Sequence, residues 1–103
     1  MNIIIKNFKP MSRNSLRGFV TVDLPEIGLA INDISVFEND KGVWISLPSK
    51  ARIKDGQVIK DQEDKIIYDE IISFSSSDVR KVWSDIIIDK VKKAYPESFN
   101  TMW

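Results

Sequence analysis

Cysteine and histidine are both missing from this chain of 103 residues. Without cysteine there are no disulfides and no thiolate nucleophile. Without either residue there are no zinc sites of the usual Cys/His kind, no Ser-His-Asp triad and no Cys-His dyad. Glycine is scarce, at four residues, and no Gly-rich phosphate loop can be assembled from them. No apolar run approaches the ~20 residues of a membrane span. The opening "MNIIIKNFKP" lacks the long apolar core and small-residue cleavage site of a signal peptide. The expectation is a cytoplasmic protein with no membrane partner. A charge surplus is absent as well, since fifteen cations balance fifteen anions. Net charge therefore points to no polyanionic partner, and only the local distribution of charge can.

What is present reads as one domain, residues 1–96, with a C-terminal tail at 97–103 that is either loose or a docking segment. "IIIKNF" is rich in β-branched residues and predicts a first strand, ended by Pro10. In "LRGFVTVDL" Phe19, Thr21 and Asp23 alternate with Val20, Val22 and Leu24, the period of a strand with one solvated face; Gly18 marks a candidate bulge. "LAINDISVFE" alternates again, "NDKG" predicts a turn, and "VWISLP" a strand stopped by Pro48. "KDGQ" is a hairpin signal, and Ile66 to Phe74 reads as a further strand.

The last third changes period. Val79, Val82, Trp83, Ile86, Ile87 and Val91 follow the spacing of an amphipathic helix. Ser76 or Ser77 can cap it, Asp78 and Lys90, Lys92 and Lys93 suit its dipole, and Pro96 stops it. The fold class is thus α+β: an antiparallel sheet of four to five strands followed by one C-terminal amphipathic helix, which covers one sheet face.

Catalysis finds little in these residues. Asp61, Glu63, Asp64, Asp69 and Glu70 cluster, but with the spacing of a solvated acidic turn and not of a calcium loop. No nucleophile–base pair is visible, and no enzyme activity, cofactor, metal or small-molecule substrate is expected. Trp44 and Trp83 occupy core-type positions, for which packing is a commoner role than a stacking platform for a base. The best candidate is "PSKARIKDG". From Pro48 to Lys60 it holds the cations Lys50, Arg52, Lys54 and Lys60 against the single anion Asp55. A solvated loop is its commoner reading. Lys6, Lys9, Arg13 and Arg17 form a second basic segment, so a neutral chain can still carry a basic surface.

The stretch "AINDISVFENDKGVWISLPSKARIKDGQ" resembles the SpoVG family of bacterial septation and gene regulators. The likeness rests on Asp33-Ile34-Ser35-Val36, Gly42-Val43-Trp44, Leu47-Pro48-Ser49-Lys50 and Asp55-Gly56, with "YDEIISF" and the helix following, and spans about Leu16 to Tyr95. Ala51 stands where the family usually carries a second cation, and Arg52 follows it. The resemblance implies a homodimer built through strands and nucleic-acid binding, of DNA in the first instance, that serves regulation. Lys50, Arg52, Lys54 and Lys60 would then face phosphates, with Arg52 the one suited to pair bidentately with guanine. The alternative is a protein-interaction module of the same fold without DNA binding.

Overall fold

The computed structural model describes residues 2–99. Four strands form one antiparallel sheet in sequence order: β1 (Ile4–Arg13), β2 (Leu16–Leu24), β3 (Leu29–Asn39) and β4 (Gly42–Ser46). Two small ribbons follow. β5 (Ser49–Ala51) pairs with β8 (Tyr68–Glu70), and β6 (Ile53–Lys54) pairs with β7 (Gln57–Val58). Helix α1 (Ser77–Ala94) and a single 3-10 turn (Pro96–Ser98) close the described chain. The expected α+β class holds.

Alternation along β2 sets the layers. Val20, Val22 and Leu24 turn inward with Ile34 and Val36 of β3, and Ile87 and Val91 of α1 complete the buried cluster. Ser76 caps the helix, its Oγ accepting from the Val79 amide at 3.2 Å. The Lys90 ammonium donates to the Ile3 carbonyl, tying the helix to the start of the first strand. Phe99 is buried against Phe8, so the segment beyond Pro96 begins by docking. Asn100 to Trp103 lie outside the described residues.

Three expectations change. β1 continues through Pro10 to Arg13, because β1 is an edge strand, where a missing N–H is tolerated, and its register slips just after Pro10. The strand expected over Ile66 to Phe74 shortens to Tyr68–Glu70, because Val58 pairs with β6 and Ile66 makes an isolated bridge to Lys60. The helix stripe is rotated from the one read in the sequence. Trp83, Ile86, Ile87 and Val91 face the sheet, whereas Val82 is 56% exposed. At 3.6 residues per turn Val82 lies about 140° around the axis from Ile87, on the far side of the helix.

The sheet face opposite the helix is uncovered by any described element, and its composition follows from register. Arg13, Leu16, Phe37 and Trp44 are successive cross-strand partners, one from each strand. Lys9, Phe19, Ser35 and Ser46 form the next row. Beyond it, β1 and β3 each carry an extra residue opposite Thr21, at Lys6 and at Asn32–Asp33, and Asp33 takes φ +58°. Paired bulges at one level dish the outer face there.

Candidate nucleic-acid interface

Residues 49–70 form an arm with almost no apolar contact to the core. Its centre is a ring of three backbone hydrogen bonds. The Arg52 amide donates to the Ile67 carbonyl (2.8 Å), Ile59 to Arg52 (2.9 Å) and Ile67 to Ile59 (3.0 Å). Three ribbons leave this ring: the β5–β8 stem, the β6–β7 hairpin and a hairpin tipped by Asp61–Lys65. Asp55 and Gly56 both take positive φ, +53° and +76°, as a two-residue hairpin turn requires. Asp61 accepts at Oδ1 from the amides of Glu63 (2.8 Å) and Lys65 (3.0 Å), so the acidic cluster organises its own turn.

All four candidate cations sit on this arm and all are exposed. Lys50 lies on β5 and Lys54 on β6, with Arg52 at the junction between them; Lys50 and Arg52 share the side of the stem that carries Asp69. Lys60 stands apart, in the second hairpin, and its ammonium lies 3.5 Å from Asp64. Arg52 is engaged more firmly. Its Nη2 is 2.7 Å from Asp69 Oδ1, and its Nε is 3.2 Å from both carboxylate oxygens. The hydrogen bonds to Arg52 hold the Asp69 carboxyl below its usual range, and the carboxylate raises the guanidinium in turn. Lys50, the register partner of Asp69, adds a smaller pull in the same direction. Lys50 and Lys54 make no ion pair with any described residue.

The second basic segment divides. Lys6, Lys9 and Arg13 lie along β1, exposed and outside every ion pair among the described residues, whereas Arg17 turns to Glu38 at 3.2 Å. Trp83 packs edge-to-face on Phe74, as a core-type residue should. Trp44 does not: it is 41% exposed on the outer sheet face and stacks on Phe37, with centroids 5.4 Å apart and planes 13° from parallel. The signal was in the strand itself. Val43 and Ile45 are the inward members of β4, which leaves Trp44 outward. Among the described residues no group of three or more His, Cys, Asp or Glu could hold a metal ion, and no helix is long and apolar enough to cross a membrane.

Over 93 residues the chain is 27% identical to a protein of Archaeoglobus fulgidus that is named as a septation protein, SpoVG. That alignment covers 90% of this chain and 91% of the relative. The chain is SpoVG-like. The likeness spans both the sheet and the helix. No family model and no solved structure matches.

Proposed function

We propose that this chain is a nucleic-acid-binding regulatory protein of the SpoVG kind, acting as a homodimer and binding without catalysing. The observation that carries the reading is the arm: a ring of backbone hydrogen bonds at Arg52 joins the two short strands that carry Lys50 and Lys54, both exposed and outside every ion pair among the described residues. Such cations bind phosphates by releasing counterions and need no positive net charge. Lys60 and Arg52 belong to the same surface but are partly neutralised by Asp64 and Asp69. Dimer formation through the edge of β4 and the arm is supported by the exposed apolar side chains Ile53, Tyr68, Ile71 and Ile72. The same side chains favour the second reading, a protein-interaction module, should the first fail.

Fluorescence anisotropy with a labelled 20-base-pair DNA tests the reading. Two free lysines per protomer give four contacts in a dimer and a log–log salt slope of about −3.6, so affinity falls by about 150-fold from 50 to 200 mM salt. Replacing Lys50 and Lys54 by Glu abolishes binding and leaves the circular-dichroism spectrum intact. Full binding by that variant would leave the interaction module as the better account.

A further inference from the structure

The outer face of the four-stranded sheet presents aromatic rings beside unpaired cations. Phe19 and the Phe37–Trp44 stack lie in adjacent cross-strand rows, and each row begins on β1 with a cation, Lys9 or Arg13. Strand β1 contains no acidic residue, and neither row does. Acidic side chains enter this face at the bulges, where Asp33 shares a depression with Lys6 and Lys9. From this arrangement, and resting on the reading that the protein binds nucleic acid, we propose that the outer face is a binding surface for single-stranded nucleic acid.

The chemistry selects the single strand. A duplex buries the faces of its bases, and reading one requires an element that enters a groove. The two aromatic rows lie within the sheet face and put no helix or ribbon forward to enter one. Exposed aromatic rings offer their faces, which any unstacked base can cover, and neighbouring cations track the backbone that joins such bases. Phe19 and Phe37 are diagonal neighbours on adjacent strands, a separation of about 7–8 Å. Consecutive bases of an extended strand can occupy both platforms, with their phosphates directed toward Lys9 and Arg13. Trp44 widens the second platform and is the more exposed ring. The arm cations lie outside these rows, although Trp44 borders the arm in a pocket shared with Ser49, Tyr68 and Glu70.

The test compares fluorescein-labelled dT15 and U15 with a dT15·dA15 duplex at 50 mM salt. The parent is expected to bind the single strands at least tenfold more tightly than the duplex. Trp44→Ala weakens single-strand binding by about tenfold, the worth of one stacked base, and leaves duplex binding within twofold. Trp44→Phe, which keeps a ring on Phe37, recovers most of the loss and guards against a folding defect. Lys9→Gln reduces the salt slope for the single strand by about one. Equal binding of single strand and duplex, or no effect of Trp44→Ala on a parent that binds, overturns this inference and leaves the arm's role standing. A loss of dimer mass in Trp44→Ala assigns the face to a second copy of the chain and overturns it too. If the parent binds none of the three probes, both this inference and the functional reading beneath it fall.

Discussion

Arg52 and Asp69 grip one another across the stem of the arm, two nitrogens of the guanidinium meeting both carboxylate oxygens at 2.7–3.2 Å. The cation best shaped for guanine is therefore already occupied. Asp69→Asn removes the competing anion and frees the fork in both protomers. The number of available cations rises from four to six in the proposed dimer, and the salt slope steepens from about −3.6 to about −5.4. Tighter binding of the variant at 50 mM salt, with the steeper slope, is the expected outcome. An unchanged slope would show that Arg52 never reaches a phosphate.

The same pair has a pH signature. Asp69 is depressed below its ordinary value by Arg52, so the pair's contribution to the stem is complete above the ordinary carboxylate range. It is lost as pH falls through the lower, folded-state value. Because both groups are exposed, the effect on global stability is small. Carboxylate titration by NMR should show Asp69 protonating below the ordinary carboxylate range, and Arg52→Gln should return it to that range.

Glu38 is 1% exposed and meets Arg17 at 3.2 Å, the most buried ion pair among the described residues. Removing Arg17 takes a charged partner away from a carboxylate that has lost its water. Arg17→Ala is expected to destabilise the domain by about 3 kcal/mol, and Arg17→Met with Glu38→Leu to recover much of that. Urea denaturation reads both. A single variant within 0.5 kcal/mol of the parent would show that the buried carboxylate does not depend on Arg17.

On the helix, Ile87 and Val82 separate the two possible stripes. Ile87 is fully buried, and Ile87→Ala should cost about 3 kcal/mol. Val82→Ala, on the far side, should stay within about 0.5 kcal/mol. The reverse order would rotate the helix back to the stripe that periodicity alone suggests.

Sedimentation tests assembly. A mass near twice the 11.9 kDa chain is expected at micromolar concentration. Ile71→Lys, at an exposed apolar site flanking the arm, should lower it toward one chain without changing secondary structure. A monomeric parent would end the dimer proposal.

The main sheet and the helix were legible because their signals are local: period-two alternation in β2, a Gly turn before β4, and a cap, an apolar stripe and a terminal proline around α1. The rotation of the stripe was not legible, since Val82 and Ile86 satisfy the helical spacing whichever side faces the sheet. Pro10 misled because its effect depends on whether a strand is at an edge, which one strand's sequence does not contain. The cations of the arm were visible, but the neutralisation of Arg52 by Asp69 was not, because it depends on a pairing across 17 residues. Trp44 was misjudged for a related reason. Which side of β4 is the core is decided by β3 and the helix, and a large ring suits either.

The ring of hydrogen bonds through Arg52, Ile59 and Ile67 also makes the arm modular. Each hairpin leaves the junction and returns to it, so a change in the length of one tip is absorbed before it reaches the stem. Doubling the length of a flexible loop costs only about 0.6 kcal/mol in closure entropy. The Asp61–Lys65 tip, solvent-exposed and closed by its own turn, is thus a natural graft point. A reporter peptide spliced there would ride on the arm while the cation-bearing strand and the four-stranded sheet kept their register.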